Sequence, residues 1–360
     1  MALIAWLVLA VVVCSATAQD NAPAEPCTCV PYYQCDQNGT IVQNGVGLID
    51  IRIKDGECEH YLDVCCKEPK DVQPKAPVVV RQPGLCGRRN EEGVNMRITG
   101  DSNNEAQFGE FPWMAAVLRD DSTSDSETPK TNYICGGSLI HPSVVLTAAH
   151  CVASVRSDRL WVRLGEWDTQ TNNEPLPLQD RRVVKVTLHP DFRDDVLYND
   201  VALLTLEKPA ELADHVDVVC VPPQDSGYDG SRCFASGWGK HVFGKEGNYQ
   251  VILKKVQLPI VPRKECIEKL RDTRLGKFFV LHESFLCAGG AGEDTCQGDG
   301  GGPLVCPLIE DPTRYQQVGI VAWGIGCGGI TPAVYANVAK FRNWIDQQFL
   351  YANLNVTYSA

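Results

Sequence analysis

The chain has 360 residues, of which 44% are hydrophobic and 22% are charged, a globular balance that excludes a wholly disordered protein. The net charge of -12 argues against a nucleic-acid partner, because the phosphates of a nucleic acid would be repelled. The length suits one sizeable core together with a small extra module.

Residues 1–18 are predicted to be a signal peptide. They form a short apolar run that ends in Ala16-Thr17-Ala18, so the expected cut lies before Gln19. No later segment is apolar enough to span a bilayer, and we therefore expect a secreted, extracellular protein with no membrane partner.

Residues 19–66 form a predicted cysteine-rich module. A segment of this size buries too little apolar surface to fold unaided, so we expect three disulfides to stabilise it. Six cysteines permit many pairings, and their spacing alone does not choose one. Zinc binding is the weaker alternative, because secretion favours disulfides and no CxxC pair is present. The six cysteines are Cys27, Cys29, Cys35, Cys58, Cys65 and Cys66.

Residues 67–97 are predicted to be a semi-rigid connector, because four prolines recur there with little hydrophobic periodicity. Beyond it, strand-length apolar runs such as "FPWMAAVL", "VALLTL" and "VGIVAWG" alternate with turn residues, which predicts an antiparallel all-β domain. Near its end, helical spacing predicts a packed helix, followed by a tail at 351–360. The residues at that spacing are Val338, Phe341, Trp344, Ile345 and Phe349.

Three short motifs in this domain point to nucleophilic hydrolysis. Such chemistry needs a hydroxyl nucleophile, a histidine base, a carboxylate that orients the base, and backbone N–H groups that hold the oxyanion. His150 lies in "LTAAHC", Asp200 in "YNDVALLTL", and Gly300 in "TCQGDGGGPLVC". Each motif alone is weak, but their order and their flanking cysteines together are specific.

With these motifs, residues 98–350 resemble the trypsin/chymotrypsin-type serine proteases. The cysteine module resembles the clip domain that arthropod secreted proteases carry at the N-terminus. The resemblance implies two six-stranded β-barrels with the catalytic residues at their interface. It also implies eight disulfides, which use all 16 cysteines left after Cys14 is removed with the signal peptide. These pairs are Cys27–Cys65, Cys29–Cys58, Cys35–Cys66, Cys86–Cys220, Cys135–Cys151, Cys233–Cys306, Cys266–Cys287 and Cys296–Cys327.

The chain departs from this family at the nucleophile. The family pattern is Gly-Asp-Ser-Gly-Gly-Pro, and Gly300 stands where the serine belongs. Glycine has no side chain, so no acyl-enzyme forms there. The N–H groups of Gly298 and Gly300 would remain as an oxyanion pocket. Ser236 and Ser284 match non-catalytic positions of the family, so we predict a pseudo-protease.

The substrate cleft departs from the family as well. Asp294 matches the acidic residue at the base of an Arg/Lys-specific pocket, with a solvated loop carboxylate as the alternative. Gly324 matches a residue that borders this pocket. Ala322 replaces a serine at the cleft, and Ala333 replaces a glycine, which puts a methyl group into the pocket wall.

Proteolytic processing is expected by the same resemblance. A cut between Arg97 and Ile98 would free an N-terminus for Asp299, although Asp101 replaces the usual second glycine of the segment. The alternative for Asp299 is an ordinary turn residue. Arg81 and Lys54 are alternative cleavage sites.

Two further features concern ligands and modification. The loop "GEWDTQTNNEP" resembles the calcium loop of the family, with oxygens from Glu166, Asp168 and Glu174, and a solvated turn is the alternative. No cofactor is expected to be required. Asn38 and Asn355 begin glycosylation sequons.

Three functions are consistent with these residues. The favoured one is a secreted, inactive regulator of an arthropod immune protease cascade that leads to melanisation. Its expected partners are clip-domain proteases, prophenoloxidase or other haemolymph proteins. A recognition protein that binds microbial surfaces or complement-like proteins is the second. An active Arg/Lys-specific endopeptidase is the third, and Gly300 argues against it.

Overall fold

The computed structural model describes residues 27–31, 35, 41, 48–50, 58, 63–67, 85–95, 97–99, 104–122, 130–170, 174–239, 250–290, 299–326, 329–356 and 358. At Pro31, 48–50 and 97–99 only the backbone is described. Several predicted features fall outside the described residues: the signal peptide, Asn38, Lys54, Arg81, Asp294, Gly298 and the pair Cys296–Cys327.

The first β-barrel closes in the spatial order β10-β7-β6-β5-β8-β9, with every neighbouring pair antiparallel. Side chains alternate along β8, where Leu160, Val162 and Leu164 are buried inside the barrel. The six strands are β5 (Met114–Asp120), β6 (Thr131–His141), β7 (Val144–Thr147), β8 (Leu160–Leu164), β9 (Gln179–Leu188) and β10 (Ala202–Leu206).

The second barrel closes in the order β11-β12-β13-β16-β15-β14. Its interior is filled by aliphatic side chains together with the buried Tyr335. The expectation of two six-stranded barrels in an all-β fold is therefore confirmed. The strands are β11 (Arg232–Gly237), β12 (Lys254–Val261), β13 (Phe285–Ala288), β14 (Pro303–Pro307), β15 (Tyr315–Trp323) and β16 (Ala333–Asn337).

Helices are few and short in the described chain: α1 (Ala149–Val152), α2 (Arg263–Arg271) and α3 (Arg342–Tyr351), with 3₁₀ turns at Ser157–Arg159 and Val338–Lys340. The predicted C-terminal helix is present as α3, which buries Ile345 and Phe349. The expected tail at 351–360 differs from the structure, because α3 includes Tyr351 and Tyr358 is fully buried. The Tyr358 hydroxyl donates to Asp346 Oδ1 at 2.6 Å, so this part of the tail belongs to the packed core.

The two barrels are joined by a shared apolar cluster that includes Trp113, Trp238 and Val305. The Ser138 hydroxyl of the first barrel also donates a buried hydrogen bond to Gln317 of the second. The barrels are therefore packed as one body, which fixes the geometry of groups that face each other across their interface.

In the cysteine-rich module, β1 (Thr28–Pro31) and β3 (Asp63–Cys66) form an antiparallel pair. A second small sheet is parallel and joins β2 (Leu48–Asp50) to β4 (Arg97–Thr99), which follows the connector. Seven disulfides form among the described residues, and each matches a pair implied by the family resemblance. They are Cys27–Cys65, Cys29–Cys58, Cys35–Cys66, Cys86–Cys220, Cys135–Cys151, Cys233–Cys306 and Cys266–Cys287.

The end of the connector is fastened to the barrels. Besides the Cys86–Cys220 disulfide, the Gly87 N–H donates to Val218 O at 2.7 Å, and the Tyr315 N–H donates to Gly87 O at 2.7 Å. Gly87 has φ +79°, and a Cβ there would lie 2.1 Å from Tyr315 O, so only glycine fits this close approach.

A buried charge cluster reinforces this attachment. Glu110 is fully buried, and its carboxylate accepts from Arg89 Nε at 3.1 Å and from Lys255 Nζ at 2.8 Å. The Arg89 guanidinium also lies 4.0 Å from the ring centroid of Phe234, a cation–π contact. Removing either cation would leave a buried carboxylate short of partners, which is strongly unfavourable.

Candidate functional site

A histidine–aspartate pair lies at the barrel interface. His150 is in α1, directly after β7, and Asp200 precedes β10, the strand that pairs with β7. The His150 N–H donates to Asp200 Oδ1 at 2.8 Å, and the ring Nδ1 lies 2.6 Å from Oδ2. The Asp200 side chain is fully buried, whereas 27% of the His150 side chain is exposed.

This contact sets the chemistry of the imidazole. A buried carboxylate beside Nδ1 favours the tautomer that carries its proton there, so Nε2 is left as the basic nitrogen. The pair is therefore arranged to accept a proton from a group on the Nε2 side of the ring.

The group on that side is Gly300, in the turn before β14 of the second barrel. A Cβ built on Gly300 would lie 3.2 Å from His150 Nε2 and 3.7 Å from Cys135 Sγ. The Gly136 N–H donates to Gly300 O at 2.9 Å, which fixes this turn against the first barrel. The structure thus brings His150, Asp200 and Gly300 together, and the third position lacks the hydroxyl that hydrolysis needs.

The backbone of this turn requires glycine at the next residue but not at Gly300. Gly301 has φ +78°, and a Cβ there would lie 2.5 Å from both Gly136 O and Thr147 Oγ1. Gly301 is therefore demanded by the fold. Gly300 has a φ outside the left-handed region, and its backbone would accept a serine.

The structure places two of the residues predicted to line a specificity pocket, Gly324 and Ala333, next to each other. Ala333 is buried on β16, and a Cβ on Gly324 would lie 3.9 Å from the Ala333 Cβ. Ala322 and Trp323 are partly buried beside it. That this methyl group narrows a pocket for a substrate side chain stays a prediction.

Asp299 and Ile98 have separate partners in the structure. Asp299 Oδ1 accepts the Gly239 N–H at 2.8 Å. Ile98 lies within the intact chain in β4 and pairs with Ile49 of the cysteine-rich module. An ion pair between Ile98 and Asp299 needs a free N-terminus at Ile98, so its formation after cleavage stays a prediction.

The residues of the predicted calcium loop are buried and crowded. Glu166 and Asp168 are nearly inaccessible, and the Asp168 N–H lies 3.4 Å from Glu174 Oε1. Burial, and then the neighbouring charge of Glu174, raise the pKa of Glu166 to about 8, and burial also raises the pKa of Glu174. Glu174 Oε2 is buried and accepts no N–H hydrogen bond from the described residues, although the two carboxyl groups lie close enough to share a proton. Two desolvated carboxylates with one unpartnered oxygen suit a divalent cation.

Two observations limit this fit. Arg163 Nη1 lies 3.3 Å from Glu166 Oε2 and supplies part of the positive charge. Asp168 Oδ1 is engaged by the Gln170 N–H at 3.0 Å, so Glu166 and Glu174 are the residues that fit a cation best.

The donor atoms of Cys135, His150 and Cys151 also lie within 4.8 Å of one another, the one such group in the described chain. Both cysteines are joined in a disulfide, so their sulfurs are not thiolate ligands. Zinc binding, the weaker alternative for the cysteines, gains no support from this group.

The fold and the His–Asp pair at its barrel interface define the class of this protein. The trypsin family model matches residues 101–345, and the chain belongs to that family of serine proteases. A second model, "Serine protease Clip domain PPAF-2", matches residues 16–67. The protein is therefore a clip-domain serine protease homologue.

Several curated proteins are similar over most of their length. The chain is 55% identical over 289 residues to phenoloxidase-activating factor 2 of Galleria mellonella, covering 78% of this chain and 95% of that protein. It is 36% identical over 355 residues to inactive CLIP domain-containing serine protease A28 of Anopheles gambiae, covering 92% and 90%. Inactive CLIP domain-containing serine protease A8 of the same organism is 35% identical over 327 residues, covering 88% and 87%.

The sequence analysis missed the buried cluster around Glu110. A carboxylate inside the run "FGEFPW" was a usable signal, because a charged residue flanked by aromatics is rarely buried without a partner. Its cationic partners, Arg89 and Lys255, lie 21 and 145 residues away and were not identifiable from spacing.

Proposed function

We propose that the protein is a secreted, catalytically inactive regulator of an arthropod immune protease cascade and assists the activation of prophenoloxidase. The observation that carries this proposal is Gly300, which faces an otherwise assembled His150–Asp200 pair. Two similar proteins are named inactive, and another is named a phenoloxidase-activating factor.

The missing hydroxyl removes covalent catalysis. Loss of the serine nucleophile in a comparable protease lowers turnover by about 10⁶-fold. His150 still polarises a water molecule, and a residual acceleration of about 10³-fold over bare water is too small for cascade signalling. A function in binding is what this scaffold retains.

Binding is supported by two preserved surfaces. We expect the groove between the barrels to remain available to a partner, and because disulfides and a shared core hold the barrels rigid, little conformational entropy is lost when the partner binds. The clip module provides a second surface on the same chain. We propose that the partners are an active clip-domain protease and prophenoloxidase.

Processing is part of the proposal. Cleavage after Arg97 would create an Ile98 ammonium, and the Asp299 carboxylate would be its acceptor. Cleavage after Arg81 or Lys54 is the alternative. Disulfides persist in oxidising compartments, which agrees with secretion into an extracellular fluid such as haemolymph. Among the described residues, no helix has the length and apolarity needed to cross a bilayer.

We further propose that Glu166 and Glu174 hold calcium. The ion would supply positive charge to two buried carboxylates and stabilise the loop without taking part in any reaction. Asn355 is exposed and is proposed to be glycosylated, while the sequon at Asn38 lies outside the described residues.

A reconstituted assay tests the proposed function. Purified prophenoloxidase and an active clip-domain protease are mixed with and without the processed protein, and phenoloxidase activity is followed. Unmodified protein and Gly300→Ala should increase the activity equally, because neither carries a nucleophile. No change in activity, combined with binding to microbial surfaces, would favour the recognition function instead.

A further inference from the structure

The Arg97–Ile98 bond lies inside the small parallel sheet formed by β2 and β4. In this sheet Leu48 pairs with Arg97, Ile49 with Ile98, and Asp50 with Thr99. The backbone on both sides of the bond is therefore held in the ladder by a strand of the clip module.

Hydrogen bonds close the base of the loop that carries β4. The Val94 N–H donates to Phe108 O at 2.8 Å, and the Ala106 N–H donates to Leu253 O at 2.8 Å. Upstream of Val94, the Cys86–Cys220 disulfide fixes the connector. Since both ends of the loop are attached to the barrels, β4 can change its pairing with β2 without any rearrangement of the barrels.

An endopeptidase must bind the same stretch of backbone before it can cleave the Arg97–Ile98 bond. Its nucleophile attacks the Arg97 carbonyl carbon, the C–N bond breaks, and Ile98 leaves as an amine after it receives a proton. Water then releases the Arg97 carboxylate, so one water molecule is consumed in total. Substrates are bound as extended strands through main-chain hydrogen bonds, and β2 already occupies one edge of β4.

We infer that β2 of the clip module shields the Arg97–Ile98 bond, so that cleavage by an arginine-specific serine endopeptidase requires β2 to leave β4. The pairing is short, and an isolated two-stranded sheet is only marginally stable. At equilibrium, β2 is therefore unpaired from β4 in a fraction of the molecules, and the cleavage rate depends on that fraction. This inference rests on the proposed processing after Arg97, but it does not depend on the proposed role in prophenoloxidase activation.

Ile49→Pro tests the shield in the full-length protein, because the proline ring fixes φ near about −65° and disfavours the extended backbone that pairs with Ile98. A low concentration of an arginine-specific endopeptidase is added, and mass spectrometry follows cuts after Arg97 and after Arg81 separately. We expect cleavage after Arg97 to be about tenfold faster than in the unmodified chain, the effect of losing one or two net hydrogen bonds. Ile49→Ala, which does not constrain φ, should cleave within about threefold of the unmodified rate.

Cleavage after Arg81, in the connector, is the internal reference for a general loosening of the chain upstream of the barrels. Equal acceleration at both bonds, or no acceleration after Arg97, would overturn the inference. Peptide mapping without reduction confirms that Cys29–Cys58 still forms in the variant. If the proline variant does not fold, hydrogen exchange of the unmodified protein decides, because at least one amide of Arg97–Thr99 must exchange more slowly than in an unstructured peptide. Full exchange of these amides at the rate of an unstructured peptide would refute the shield.

Discussion

Restoring the hydroxyl in Gly300→Ser should convert the protein into a weak serine hydrolase. The Gly300 backbone accepts a side chain, and the new Cβ would lie 3.2 Å from His150 Nε2, so the imidazole must shift by only a few tenths of an ångström. The hydroxyl would then lie beside a nitrogen that Asp200 already orients.

The size of the gain follows from two opposing effects. A complete nucleophile is worth up to about 10⁶-fold in turnover, which corresponds to about 8 kcal/mol. The Ala333 methyl group in the pocket wall reduces this gain, since a misfit of one methyl group costs about 1–3 kcal/mol. We therefore expect processed Gly300→Ser to cleave arginine substrates about 10⁴-fold faster than the unmodified protein, still roughly 10²-fold short of an intact active site.

A fluorescent organophosphate probe and an arginine ester substrate provide the readouts. Gly300→Ala is the matched control, because it adds the same Cβ without the oxygen. The double variant Gly300→Ser/His150→Ala retains the oxygen but removes the base. Only the single serine variant should be labelled and active.

Two outcomes would refute this reasoning. Stable labelling of the unmodified protein would show that another residue acts as the nucleophile. A folded, processed Gly300→Ser protein with no labelling would show that the His150–Asp200 pair is not arranged for proton transfer.

Three further predictions concern stability. Calcium at millimolar concentration should raise the melting temperature by about 4 °C in differential scanning fluorimetry. Glu174→Gln should abolish this rise. An equal rise in both proteins would contradict the calcium site. Burial lowers the pKa of His189, whose ring centroid lies 5.1 Å from the ring centroid of Trp344. The imidazole of His189 is therefore protonated at a higher pH in the unfolded state than in the folded state. The free energy of unfolding should consequently fall as the pH drops below about 6.5. His189→Gln should flatten that fall in urea titrations followed by tryptophan fluorescence, and an unchanged slope would exclude this histidine as the cause. Tyr358→Phe should lower the free energy of unfolding by about 1.5 kcal/mol, because Asp346 loses one of its donors and keeps Arg342; no loss would mean that the tail is not docked.

The catalytic remnants were predictable because each lies at the end of a strand whose apolar run is recognisable in the sequence. His150 ends the apolar run "SVVLTAAH", and Asp200 precedes "VALLTL". These runs become β7 and β10, which pair directly and bring two residues 50 positions apart into contact. The barrel topology and the disulfide pairing came from the family resemblance, because spacing alone permitted many alternatives.

Other features could not be predicted in full from the local sequence. The pairing of β2 with β4 involves three residues on each strand, too few for a hydrophobic period to specify a partner. Tyr358 lies in a polar segment without periodicity, and its burial depends on a groove built by α3 and the chain near Val221. The carboxylate of Glu110 marked a buried charge, but only the folded chain identifies its counter-ions.

The disulfide between Cys86 and Cys220 has a consequence for the fate of the clip module. It joins the end of the connector to the barrel domain upstream of Arg97, so a break after that arginine yields a covalent heterodimer. The clip module and the barrel domain therefore stay together after the break, even in a large volume of fluid. The connector alone sets the effective concentration of one piece near the other. A partner that binds both pieces would therefore keep its bivalent avidity after cleavage at Arg97, and would lose it only when the disulfide is reduced.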